Sequence, residues 1–157
     1  RGTPETMQQD PRYNDVVAEV RAFLVERARE AERAGVAEVW IDPGIGFGKT
    51  ATHNLALLAH LDTLVGTGYP VLVGASRKSF LGPLSAGPGA TEVPDPEDRL
   101  EASLAMAVWA LGQGAAMVRV HDVGPTVQAV AVVAGPRSLP DGRPPRAASA
   151  ATEPIRR

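Results

Sequence analysis

The chain has 157 residues, 44% hydrophobic and 22% charged, the balance of an ordinary soluble globular protein and the length of one domain or of a piece of a larger one. A net charge of -2 gives no footing for nucleic acid or an anionic membrane surface, no apolar stretch is long enough to span a bilayer, and no signal peptide opens the chain. Cysteine is absent, which excludes disulfides and thiolate metal sites and fits a cytoplasmic protein.

The chain opens on Arg1-Gly2-Thr3-Pro4 with no initiator Met, so it is expected to begin inside a longer protein. After Pro11 and Asn14, the positions Val16, Val20, Phe23, Leu24, Val25 and Ala28 follow three- and four-residue spacing, which predicts a helix closed by Gly35. The apolar run 36–41 predicts a first strand. Thr52 or Asn54 can cap a second helix, carrying Leu55, Leu58, Leu61, Leu64 and Val65 and stopping at Gly66 and Gly68. Residues 70–75 predict a second strand, and 82–96, rich in Gly and Pro, a long loop. Pro96 is placed to begin a third helix, 97–111, whose Ala102, Ala105, Ala107 and Ala110 suggest close packing against a neighbour. Residues 116–120 predict a third strand, and Asp122 can cap a last helix running to Val133.

A helix followed by three strand–helix repeats predicts an α/β fold with a parallel sheet built through right-handed crossovers. The strands are apolar almost throughout, as strands covered on both faces are. Two segments are expected: residues 1–134 as the folded part, and 135–157, rich in Pro, Arg and Ala and without periodicity, as a disordered tail.

Each predicted strand ends in chemistry-bearing residues. The first ends in Asp42, followed by Pro43-Gly44-Ile45-Gly46-Phe47-Gly48-Lys49-Thr50. The second runs into Gly74-Ala75-Ser76-Arg77-Lys78-Ser79, and the third ends in Arg119-Val120-His121-Asp122. In a parallel sheet these ends share one side, where sites form. Alternation puts Met117, Arg119 and His121 on one face. Structural alternatives exist for each: Asp42 as a turn cap, Arg77 and Lys78 as a solvated loop, His121 as a satisfied histidine, and Asp122 as a cap in any case. Their coincidence at corresponding strand ends favours the functional reading. His53 and His60, seven apart on one helix, are too far apart for a shared metal.

The glycine-rich loop is no standard nucleotide loop. A phosphate-cradling loop ending at Gly48-Lys49-Thr50 needs glycine where Pro43 stands, and G-x-G-x-x-G from Gly44 needs glycine where Lys49 stands. A carboxylate at a strand end, a close-approach glycine collar and Phe47 together look like a floor for a flat, polar, nitrogen-rich ring, with a plain glycine-rich turn after the strand as the alternative.

These three stretches, Asp42 to Lys49, Gly74 to Gly82 and Arg119 to Val123, resemble three signature stretches of dihydropteroate synthase, in that family's order. Gly2-Thr3-Pro4-Glu5-Thr6-Met7-Gln8 resembles the family's stretch after its fifth strand. The resemblance runs from Arg1 to about Val133. It implies the sixth to eighth strands of a TIM (β/α)8 barrel, the pterin-binding barrel's C-terminal part. It implies condensation of 6-hydroxymethyl-7,8-dihydropterin diphosphate with 4-aminobenzoate to 7,8-dihydropteroate and diphosphate, with Mg2+ assisting diphosphate departure. It implies Asp42 and Lys78 as catalytic residues, Asp42 taking the pterin edge and Lys78 lying between the two substrates. Gly46 and Gly74 would let backbone approach the ring. Phe47, Ser76 and Arg77 would stand around the aminobenzoate, and Arg119 and His121 on the diphosphate. Metal ligands are expected outside these residues, in strands that the chain lacks. A homodimer through C-terminal helices and a cytoplasmic location complete the expectation. The alternatives are the related pterin-binding barrel of corrinoid-linked methyltransferases and a non-catalytic paralogue.

Overall fold

The structure, a computed structural model, describes residues 14–87 and 89–135. The stretch Gly2 to Gln8 and the tail expected beyond Gly135 lie outside the described residues. The elements are α1 (Asn14–Arg33), α2 (Ala51–Ala59), α3 (Leu61–Val65), β1 (Leu72–Val73), α4 (Leu81–Ser85), α5 (Leu100–Gly112), β2 (Met117–Val118) and α6 (Val123–Ala134). The architecture is α/β with parallel pairing: Leu72 opposite Met117, Val73 opposite Val118, and a single parallel bridge from Ile41 to Val71. Three chain segments therefore lie side by side in sequence order, with 71–73 in the middle.

The expected first strand shrinks to that bridge. Ile41 N–H donates to the Pro70 carbonyl at 3.0 Å, and Leu72 N–H donates to the Ile41 carbonyl at 2.9 Å. One step earlier the parallel register would need an N–H from Pro70, which has none. Among the described residues 36–40 have no strand partner, and Val36 and Trp40 are exposed.

The core lies between the sheet and the helices. Val71, Val73 and Ala75 pack with Ala56, Leu57, Leu61 and Leu64 of α2 and α3 and with Ala110 of α5. On α1 the buried stripe is Val17 and Ala28, with Val16, Val20 and Leu24 packed against the core. Phe23 falls off that stripe, is 59% exposed, and lies beneath the guanidinium of Arg27. The alanines of α5 divide likewise: Ala107 and Ala110 are buried, whereas Ala105 faces out.

Four further expectations are corrected locally. Thr50, not Thr52 or Asn54, caps α2, its hydroxyl accepting from the His53 N–H at 3.2 Å. The second helix breaks at His60, whose carbonyl takes the Thr63 hydroxyl at 2.8 Å; such side-chain bonds compete with continuous helix. The loop 82–96 opens with α4, where Pro83 occupies the first turn and costs no helical bond, and Phe80 and Leu81 anchor the turn in the core. The third helix is a 3-10 turn, Pro96–Asp98, followed after Arg99 by α5.

Candidate functional site

The parallel register brings the three strand ends to one side. After Ile41, Asp42 folds into a tight turn in which its Oδ1 accepts the Gly44 N–H at 2.8 Å. That bond fixes the carboxylate plane and leaves Oδ2 without a partner among the described residues. The loop is held from below by Asn54, 1% exposed, whose Oδ1 accepts the Gly46 N–H at 2.8 Å and whose Nδ2 donates to the Thr50 carbonyl at 3.0 Å. Lys49 Nζ closes the loop from its other side, donating to the carbonyls of Gly44 and Phe47 at 3.1 and 3.3 Å.

Gly46 has φ +78°, where an L side chain is strained, and a methyl there would lie 2.5 Å from Lys78 Cδ. The Lys78 stem therefore crosses the bare backbone of Gly46, and its Nζ reaches 3.6 Å from the centroid of Phe47. Burial pushes the Lys78 ammonium below its ordinary pKa, the Arg119 guanidinium adds to this, and Asp42 opposes it. Arg119 in turn lies across Gly74, where a methyl would stand 2.7 Å from its Nη2.

Arg77 has φ +59°, the positive value of a non-glycine residue among the described ones. Two side chains from the start of α5 hold that conformation. The Ser103 hydroxyl accepts the Arg77 N–H at 2.9 Å, and Arg99 Nη1 donates to the Arg77 carbonyl at 3.1 Å while its Nε and Nη2 donate to the Pro94 carbonyl. The Arg77 guanidinium forks onto Asp122 at 3.1 and 2.7 Å, which holds the Asp122 carboxyl below its usual range. Asp122 is thus the residue before α6 but makes no side-chain cap, because its carboxylate is taken by Arg77. Its backbone carbonyl instead receives the Thr126 N–H and hydroxyl. Ser76 is 5% exposed and its hydroxyl meets His121 rather than open solvent.

Between Gly74, Lys78, Glu97, Arg119 and His121 runs a cleft of about 390 Å3. A larger hollow of about 1360 Å3 lies against α1 and the turn 66–70, at the opposite, N-terminal end of the strands, away from these groups. The cleft combines three cations, Arg77, Lys78 and Arg119, with the Glu97 carboxylate, an imidazole and, across Gly46, a second carboxylate and an aromatic face. Such a set grips an anion at one end and a planar, hydrogen-bonding ring at the other.

The model of the family described as pterin binding enzyme matches residues 1–121. The chain belongs to the pterin binding enzyme family. The dihydropteroate synthase of Escherichia coli (strain K12) is 46% identical over 136 residues, which are 85% of this chain and 45% of that relative. The crystal structure of dihydropteroate synthase from Thermus thermophilus in complex with 6HMPPP is similar at 48% identity and a TM-score of 0.71, covering 78% of this chain and 47% of that one. The structure of the same enzyme in complex with 4-aminobenzoate gives 49% identity and a TM-score of 0.69 over 76% of this chain and 44% of that one. The chain spans about half the length of the relatives it matches.

Within this family member the structure brings together Asp42, Gly46, Phe47, Gly74, Lys78, Arg119 and His121, with Ser76 and Arg77 holding the rim from beneath. Asn54, Arg99, Ser103 and Asp122 are supporting residues that sequence reasoning missed or read as caps; polarity at a helix start is the signal they share with ordinary caps. Among the described residues no group of three His, Asp or Glu side chains could hold a metal ion, and the cleft itself is cationic. These residues do not fit a Mg2+ site.

Proposed function

We propose that this chain is the C-terminal part, the last three strand–helix units, of a (β/α)8-barrel dihydropteroate synthase. The complete enzyme joins 6-hydroxymethyl-7,8-dihydropterin diphosphate to 4-aminobenzoate and releases diphosphate. Residues 1–134 are the barrel segment in this reading and 135–157 an appendage.

The observation that carries the reading is the position of Lys78. Its Nζ stands over Phe47, its stem crosses Gly46, and its charge feels Asp42 on one side and Arg119 on the other. Asp42, with Oδ1 fixed by Gly44, offers its other oxygen to the amino-pyrimidinone edge of the pterin in a charge-assisted pairing. Its negative charge then stabilises the pterin-methyl cation left as diphosphate departs. Arg119 and His121 hold the diphosphate, the guanidinium as a planar fork and the imidazole as a single donor. Lys78 and Phe47 bound the space in which the arylamine attacks, and Arg77 stands at the carboxylate end of the aminobenzoate. The related structures in complex with 6HMPPP and with 4-aminobenzoate support these two ligands.

Mg2+ belongs to this reading only through ligands outside the chain. The complete protein is a cytoplasmic homodimer in the same reading. Among the described residues no helix is long and apolar enough to cross a membrane.

The test is turnover. The complete protein, given pterin diphosphate, 4-aminobenzoate and Mg2+, should release diphosphate and form 7,8-dihydropteroate. Binding of the pterin without any binding of 4-aminobenzoate would overturn the reading and favour a methyl-transferring pterin barrel.

A further inference from the structure

Ser76 touches His121 twice. Its Oγ lies 3.0 Å from the imidazole Nδ1 and 3.3 Å from the backbone N–H of the same residue. Ser76 is 5% exposed, and its hydroxyl has no other partner among the described residues. A hydroxyl has one proton and two lone pairs. The backbone N–H can only donate, so it occupies a lone pair. The hydroxyl proton then has one acceptor within reach, Nδ1. The alternative, Nδ1–H donating to Oγ, would leave a buried hydroxyl proton unpaired, and buried polar groups are rarely left so.

We propose that Ser76 is a positioning residue that sets His121 in its Nε2–H form. With Nδ1 accepting from Ser76, the neutral ring carries its proton on Nε2. His121 is exposed where Ser76 is not, so Nε2–H is the donor left for a ligand in the cleft. Arg119 stands on the same strand face, against Gly74, and lines the same cleft. Together they present a guanidinium fork and one fixed imidazole N–H to a multiply charged anion. The identity of that anion as the diphosphate end of the substrate rests on the proposed function; the tautomer does not. Ser76 thereby acts through His121 rather than on the aminobenzoate, the role that the family resemblance implied for it.

The experiment is nitrogen NMR of the complete protein carrying 15N-labelled histidine, in alkaline buffer where imidazole is neutral. His121 should show a pyridine-like Nδ1 and a pyrrole-like Nε2. In Ser76→Ala the bias should relax toward a mixture. In calorimetry the same variant should bind inorganic diphosphate about five-fold more weakly, the scale of one hydrogen bond, and bind 6-hydroxymethyl-7,8-dihydropterin, which lacks the anion, unchanged. A pyrrole-like Nδ1 in the unaltered protein overturns the proposal without need of any variant. So does an unchanged diphosphate affinity in Ser76→Ala. If the unaltered protein shows the Nε2–H form but binds no diphosphate, the positioning role stands and the proposed function fails.

Discussion

The ammonium of Lys78 stands 3.6 Å from the centroid of the Phe47 ring, reaching it across the bare backbone of Gly46. Two loops from the ends of different strands are joined at this point, and neither could approach so closely with a β-carbon between them. Gly46→Ala should therefore act twice. The positive φ strains an alanine by about 1–2 kcal/mol, and the new methyl displaces the Lys78 stem from its path. Thermal unfolding should show the first effect. A drop in pterin affinity beyond what the stability loss explains should show the second. A variant as stable as the parent, with unaltered affinity, would mean that the loop relaxes freely.

Arg119 also governs Lys78, through charge. Burial is the larger cause of the lowered Lys78 pKa and Arg119 the second, with Asp42 pulling the other way. Arg119→Gln removes one like charge and leaves burial in place. The Lys78 pKa should rise toward its ordinary value of 10.5 without reaching it. An NMR titration of the lysine Nζ measures this directly. A fall, or no change, would show that Arg119 does not act on Lys78.

Gly74 separates stability from binding. Its φ is ordinary, so alanine meets no backbone strain, but the methyl would sit 2.7 Å from Arg119 Nη2. The tip of a long side chain moves easily. Gly74→Ala should leave the melting temperature nearly unchanged, within about 0.5 kcal/mol, while weakening diphosphate binding because Arg119 is turned aside. A large loss of stability would reveal that Arg119 cannot move.

Much of this arrangement is legible in the sequence, and the reason is the parallel sheet. Once strands alternate with helices, Asp42, Ser76 and His121 must stand at neighbouring strand ends, and alternation alone puts Arg119 and His121 together. What sequence cannot reveal are the side chains that act at a distance along the chain. Arg99 reads as the start of a helix, yet it bonds the carbonyl of Arg77, 22 positions back. Asn54 reads as a cap, yet its amide holds Gly46. Asp122 reads as a cap too, but a guanidinium fork outcompetes the backbone N–H groups of α6 for its oxygens. The first strand is shorter than its pattern because its apolar run is genuine while its pairing partner begins with a proline.

The Arg77–Asp122 pair gives stability a defined pH dependence. The Arg77 hydrogen bonds hold the folded-state pKa of Asp122 below its ordinary 3.8, so the unfolded chain binds that proton more tightly. The pair's contribution is therefore fully present above pH 3.8 and is lost as pH falls through the folded-state value. Asp122→Asn should be less stable than the parent at about pH 6, and the gap in melting temperature should close on acidification below pH 3.8. A gap that stays constant across this range would show that the destabilisation arises from packing instead of charge.

In the barrel reading proposed for this chain a closed (β/α)8 barrel takes about 250 residues, whereas the 157 residues span 45% of the Escherichia coli relative. Among the described residues the parallel ladder joins three segments, and neither 36–40 on one side nor β2 on the other has a further neighbour. Open parallel edges leave backbone groups that must meet water or another chain. Trp40 and Met117, 39% and 46% exposed on these two flanking segments, lose apolar burial, worth roughly 25 cal/mol per Å2. In the same reading the ligands for Mg2+ lie outside these residues. The 157 residues alone should therefore form no detectable dihydropteroate, whereas a form extended to eight strands should turn over. Purified chain is supplied with pterin diphosphate, 4-aminobenzoate and Mg2+, and diphosphate release is followed beside the extended form. Turnover by the short chain near the rate of the long one would overturn the expectation. It would require the three segments to assemble a working site, with two copies pairing edge to edge as the route, and light scattering at micromolar concentration would then show a dimer.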